Sequence, residues 1–202
     1  MTKIKLCGLT RPSDVEAANR LKPEYVGFVF AKKSRRYVAP QTAGALKRLL
    51  SPEIQAVGVF VKEDVEEVAA LLNSGVIDVA QLHGNEEEAY IRRLRQLTRR
   101  PIIKAFQVGN SRDLAAAAVS SADHVLLDSG AGTGTVFDWA LLNSFTRPYF
   151  LAGGLSPDNV GKAVAALHPF AVDVSSGIEV EGRKDPTKMA AFVAAVRKEE
   201  QL

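Results

Sequence analysis

The chain has 202 residues, 47% hydrophobic and 24% charged, which suits one soluble globular domain spanning 1–202. A net charge of +3 is too small to point to nucleic acid, and a single cysteine excludes an intramolecular disulfide. No apolar run reaches the ~18 residues of a membrane-crossing helix, and Met1–Gly8 is too short and too charged for a signal peptide, so a cytoplasmic protein with no membrane partner is expected.

Short apolar runs alternate with longer helical stretches. The first run begins at Lys3 (KIKLC), and Pro12-Ser13-Asp14 then opens a helix with proline near its start and an acid in its first turn. The second begins at Tyr25 (YVGFVF) and leads into the basic segment 32–37. The third begins at Ile54 (IQAVGVFV). Lys62-Glu63-Asp64 follows, after which Val65, Val68, Leu71 and Leu72 keep one helix face apolar. The fourth begins at Ile77 (IDVAQLH) and the fifth at Pro101 (PIIKAF), with a helix start at Ser111-Arg112-Asp113. The sixth begins at Asp123 (DHVLLD). The seventh begins at Pro148 (PYFLAG), with a helix start at Ser156-Pro157-Asp158, and the eighth at Phe170 (FAVDV).

The start-to-start steps are 22, 29, 23, 24, 22, 25 and 22 residues. Each just fits a short strand, a helix and two short loops. Strand followed by helix, eight times, predicts a single-domain (β/α)₈ TIM barrel. An open doubly wound sheet is the rival, but the first turn, Cys7-Gly8-Leu9-Thr10-Arg11, lacks its glycine fingerprint. A leucine-rich solenoid shares the period and not the leucine spacing.

A barrel places its chemistry at the C-terminal strand ends. Cys7 ends the first strand, Gln81-Leu82-His83-Gly84 the fourth, Lys104 and Phe106 the fifth, and Asp128 the sixth, ahead of a glycine-rich loop through Gly132 and Gly134. Gly153-Gly154 and Ser175-Ser176-Gly177 follow strands seven and eight, where barrels often hold phosphate on backbone N–H groups. Arg35 and Arg36 stand where a guanidinium can reach over the barrel mouth to a carboxylate. A thiolate base facing a carboxylic acid across a phosphate-holding pocket suits proton transfer on a sugar phosphate. No spacing of His, Cys, Asp or Glu suggests a metal site. Lys5 lies two residues before Cys7 and so on the same strand face; a lysine pointing into the barrel needs a partner, and Asp173 on strand eight is the candidate.

Nine segments, taken together, resemble the phosphoribosylanthranilate isomerases of tryptophan biosynthesis. They are Lys5–Thr10, Gly27–Phe30, Ser34–Val38, Val57–Val61, Gln81–Gly84, Leu126–Ser129, Gly132–Gly134 with Phe137–Trp139, Leu151–Leu155 and Asp173–Glu179. The resemblance implies a (β/α)₈ barrel. It implies conversion of N-(5-phosphoribosyl)anthranilate into 1-(2-carboxyphenylamino)-1-deoxyribulose 5-phosphate by an Amadori rearrangement, the third step of the tryptophan branch from chorismate. It further implies Cys7 as general base, Asp128 as general acid and Arg36 as the clamp for the anthranilate carboxylate. Phosphate is implied at Gly153, Gly154, Ser175 and Ser176, with His83, Gly132 and Gly134 as further pocket positions. The small-molecule phosphosugar is the only partner implied, with no cofactor and no metal; monomer and homodimer both fit. Arg35 stands where the family often has proline, and Thr135-Val136 where it often has Lys-Thr. Two other readings are a Schiff-base aldolase built on Lys104 and a barrel that binds phosphosugars without catalysis.

Overall fold

The computed structural model describes residues 1–129 and 139–199. Eight parallel strands close into a barrel in chain order: β1 (Lys3–Cys7), β2 (Tyr25–Val29), β3 (Gln55–Phe60), β4 (Val79–Leu82), β5 (Ile102–Gln107), β6 (His124–Asp128), β7 (Tyr149–Ala152) and β8 (Ala171–Val174). Each begins within two residues of its expected start. The barrel closes where β1 pairs with β8, in a register that sets Lys5 directly opposite Asp173.

Period-two alternation divides the strands into two faces. Val125 and Leu127 of β6 point outward into the main core under the helices, while Leu126 joins Tyr25, Val57, Val79, Ile103 and Phe150 inside the barrel. The Tyr25 and Phe150 rings meet edge to face at 5.4 Å and fill the lower interior. A small cluster of Cys7, Val29 and Val59 lies at the mouth. The barrel is therefore plugged at its N-terminal end and open at its C-terminal end.

Among the described residues seven α-helices cover the outside: α1 (Pro12–Leu21), α2 (Pro40–Leu49), α3 (Val65–Asn73), α4 (Glu88–Leu97), α5 (Ser111–Val119), α6 (Val160–Leu167) and α7 (Pro186–Lys198). The expected signal at Lys62-Glu63-Asp64 acts as a cap, the Asp64 side chain accepting from the N–H groups of Glu66 and Glu67; at Ser111-Arg112-Asp113 the cap stands one residue earlier, Asn110 forming a capping box with Asp113. Two expectations need correction. Between β6 and β7 the described residues hold a 3₁₀ helix, Trp139–Ser144, in place of an α-helix. Few residues remain there before β7, and short connections favour the tighter i→i+3 turn. The Ser156-Pro157-Asp158 signal precedes α6 by a turn, which Asn159 closes with its side-chain oxygen on the Ser156 N–H at 2.8 Å.

A small antiparallel hairpin follows β8, with strands β9 (Glu179–Val180) and β10 (Arg183–Lys184). Its two-residue turn, Glu181-Gly182, has positive φ at both positions, as a tight hairpin turn requires. The hairpin folds Lys184 back toward the barrel mouth.

Candidate active site

A cavity of about 620 Å³ opens at the C-terminal end of the barrel. Cys7, Arg36, His83, Asp128, Gly153, Gly154, Ser175 and Ser176 all line it. These eight candidates thus reach one space from six different strand ends, whereas Arg35, Lys104 and Phe106 do not line it. Gly132 and Gly134 lie outside the described residues.

Cys7 is 7% exposed at the end of β1. Gly27 on the paired strand makes room for it, since a Cβ there would stand 2.6 Å from the Cys7 Sγ. Beneath the thiol, the Lys5 Nζ donates to Asp173 Oδ1 at 2.9 Å, with Lys5 fully buried. The expected inward pair therefore exists. Burial pushes the Cys7 thiol up, and the charge of the Lys5 ammonium pulls against that rise. Burial also favours the neutral form of Lys5, but Asp173 and Cys7 outweigh it and hold the ammonium above its ordinary range.

Asp128 ends β6 on the other side of the mouth. His83 Nε2 lies 3.4 Å from its Oδ2, while the His83 Nδ1 meets the Gln81 amide nitrogen at 2.9 Å. With that amide donating, the neutral ring carries its proton on Nε2, on the side of Asp128. The remaining amide oxygen, Gln81 Oε1, is buried on the cavity wall without a hydrogen-bond partner. Gly153 has φ +97, and a Cβ there would collide with Ser129 and stand 2.8 Å from Asp128 Oδ1. Only glycine lets the β7 loop pass this close to the carboxylate.

Arg36 crosses the mouth over Gly8, where a Cβ would stand 2.5 Å from its Cδ. Its guanidinium is already forked onto Glu179, with Nε to Oε1 at 2.6 Å and Nη2 to Oε2 at 2.8 Å. The nearly buried Lys184 adds a contact to Glu179 Oε1 at 2.7 Å, and Arg35 Nη2 reaches Oε2 at 3.0 Å. Burial alone would raise the Glu179 carboxyl; the bonds from Arg36 and Lys184 prevail and hold it at about 2. The Arg35 side chain is 62% exposed and does not line the cavity. Ser175 spends its hydroxyl proton on the Cys7 carbonyl at 3.2 Å and faces Lys184 through its oxygen at 3.4 Å. A ligand at Ser175 therefore meets its backbone N–H.

Sequence reasoning missed Lys184, the hub role of Glu179 and the Gln81–His83 pair. The available signal was the Glu181-Gly182 dipeptide, a two-residue hairpin turn that returns the chain toward the mouth. Lys104, the lysine of the aldolase reading, does not line the cavity. Its Nζ donates to the carbonyls of Leu82 at 3.4 Å and Gly84 at 2.6 Å and to Glu86 at 3.3 Å. Among the described residues no three His, Cys, Asp or Glu side chains gather as metal ligands, and no helix is long and apolar enough to cross a membrane.

The profile of the N-(5'-phosphoribosyl)anthranilate isomerase family matches residues 4–195. A curated relative of that name from Endomicrobium trichonymphae is 43% identical over 202 residues, covering 98% of this chain and 99% of its own. A solved phosphoribosylanthranilate isomerase from Thermotoga maritima superposes with a TM-score of 0.90 at 35% identity, covering 98% of this chain and all of the other. A solved isomerase in complex with reduced 1-(o-carboxyphenylamino)-1-deoxyribulose 5-phosphate gives a TM-score of 0.88 at 35% identity and the same coverage. The barrel, its mouth and a match along nearly the whole chain make this protein a member of the N-(5'-phosphoribosyl)anthranilate isomerase family.

Proposed function

We propose that Cys7 and Asp128 are the base and acid of the reaction this family catalyses. The chain is an aldose–ketose isomerase of tryptophan biosynthesis: it converts N-(5-phosphoribosyl)anthranilate into 1-(2-carboxyphenylamino)-1-deoxyribulose 5-phosphate by an Amadori rearrangement. The assignment rests on one observation, the convergence of a buried thiol, a carboxylate, an arginine and two glycine- or serine-bearing loops on a single cavity.

The furanose ring opens first. The amine nitrogen donates its electron pair to C1′ as the C1′–O bond breaks, and Asp128 gives its proton to the departing ring oxygen. The iminium so formed acidifies C2′. Cys7 takes that proton, the C2′–H electron pair becomes the C1′=C2′ bond while the C1′=N pair of the iminium returns to nitrogen, and tautomerisation of the enolamine yields the ketone. The backbone of Gly153, Gly154, Ser175 and Ser176 holds the phosphate. Arg36 holds the anthranilate carboxylate. Two of its five N–H groups serve Glu179, which leaves those on Nη1 and the second on Nη2 for substrate. The orphaned Gln81 oxygen supplies an acceptor for a sugar hydroxyl. Anchors at both ends place C1′ and C2′ between acid and base.

The test is to incubate the purified chain with phosphoribosylanthranilate and follow loss of anthranilate fluorescence. Turnover by the native chain that fails in Cys7→Ala and Asp128→Ala supports the assignment; turnover that survives either substitution removes that residue from the mechanism.

A further inference from the structure

Among the apolar side chains of the barrel interior β1 places a fully buried lysine, with Asp173 and Gln81 as further buried polar groups among the described residues. Burying an ammonium is costly unless its hydrogen bonds are satisfied. Asp173, directly opposite in the β1–β8 register, meets one of the Lys5 N–H groups at 2.9 Å. A pair kept only to support the fold needs nothing more. Yet Cys7 lies two residues along on the same inward face of β1, so the Lys5 ammonium stands beneath the thiol and its charge favours the thiolate.

The charges around the thiol have a definite balance. Lys5 and Asp173 approach from β1 and β8, Lys184 from β10, and Arg36 from the loop after β2. Glu179 lies between Arg36 and Lys184 and bonds both. Among these described groups, three cations face two carboxylates. Lys5 and Asp173 balance each other, the leftover positive charge belongs to Arg36 and Lys184 around Glu179, and Lys5 is the cation beneath the sulfur on its own strand.

We propose that Lys5 is the positioning residue that makes Cys7 a base, its ammonium pinned by Asp173 beneath the thiol on the same strand face; this rests on the reading of Cys7 as the proton acceptor. Lys5 touches no reacting atom and keeps its own proton throughout. The thiolate takes the C2′ proton, an S–H bond replaces the C2′–H bond, the electron pair moves into C1′=C2′, and the iminium C1′=N pair returns to nitrogen. Asp173 keeps the lysine charged in the barrel interior. Lys184, held by Glu179, adds a weaker pull on the thiol from β10.

Cys7 is the chain's one cysteine, so alkylation by iodoacetamide, read by intact mass, reports on it alone. The alkylation rate is measured against pH for the native chain, Lys5→Met, and Lys5→Met combined with Asp173→Asn, which removes both charges so that no buried carboxylate is left unpaired. The midpoint moves up by about one pH unit or more in both variants, or roughly tenfold slower alkylation below the midpoint. Turnover falls through kcat, with KM within about threefold of native, because the substrate anchors are untouched. A native midpoint in both variants overturns the proposal and leaves Cys7→Ala to judge the base on its own. Near-native turnover in Cys7→Ala overturns the base reading and the proposal together.

Discussion

Replacing Glu179 by glutamine should loosen the barrel mouth and weaken substrate binding together. Glu179 accepts from Arg36 at 2.6 and 2.8 Å and from the nearly buried Lys184 at 2.7 Å. Glutamine keeps one acceptor but removes the charge, leaving Lys184 buried with only the carbonyl and hydroxyl of Ser175. Breaking a buried ion pair costs about 3–5 kcal/mol. The depression of the Glu179 carboxyl from 4.5 to about 2 corresponds to about 3 kcal/mol, in agreement with the lower end. For a chain of this size that is a fall in Tm of roughly 6–12 °C. The sign with pH follows from the lowered carboxyl. Its stabilisation is present in full above about 4.5 and is lost as pH falls toward 2, so the gap between native chain and variant should shrink by more than half by about pH 3. Arg36 also loses the partner that orients its fork, so KM should rise about tenfold. Thermal unfolding by circular dichroism at pH 7 and pH 3, with steady-state kinetics at pH 7, reads all three. A Tm within about 2 °C of native at pH 7, or a gap that does not change with pH, refutes the reasoning.

Arg36→Lys should raise KM roughly tenfold to a hundredfold, since an ammonium cannot reproduce the planar fork, while Arg35→Ala shifts kcat/KM only a few-fold; kinetics at low and high salt separate the two, and a more damaging Arg35→Ala at both salts would move the clamp to Arg35. Gly27→Ala puts a methyl 2.6 Å from the Cys7 Sγ and 3.1 Å from its Cα, so kcat should fall at least about tenfold as the base is displaced; unchanged kcat would mean the thiol position is not critical. Borohydride added during turnover should leave the mass of the chain unchanged, because Lys104 is bonded outside the cavity; a trapped substrate adduct would restore the Schiff-base reading.

Much of the barrel could be read from residue order. Eight apolar runs at nearly constant spacing dictate eight parallel strands, and each strand's inward face follows from period two. The same rule made the Lys5–Asp173 pair readable: both residues sit on inward faces of strands that must adjoin when the barrel closes. Helix starts were readable where Asp64 caps locally, one residue off at α5, where Asn110 caps ahead of Ser111, and less so at α6, where Asn159 first closes a turn. The Arg36–Glu179–Lys184 hub was hidden because Arg36 and Glu179 are 143 residues apart and meet only once the β9–β10 hairpin folds back. The Gln81–His83 pair was hidden differently: both residues were in view, but the bond from one to the other and on toward Asp128 depends on side-chain directions at the end of β4 that spacing does not encode.

The central claim is that Cys7 and Asp128 carry successive proton transfers across one cavity, and kcat for Cys7→Ala, Asp128→Ala and the double variant tests it most directly. Each single substitution should lower kcat by about 10²–10⁴-fold with the far-ultraviolet spectrum unchanged. The double variant should be little worse than the slower single, because the two residues serve different steps. Near-native kcat in either single variant contradicts the account.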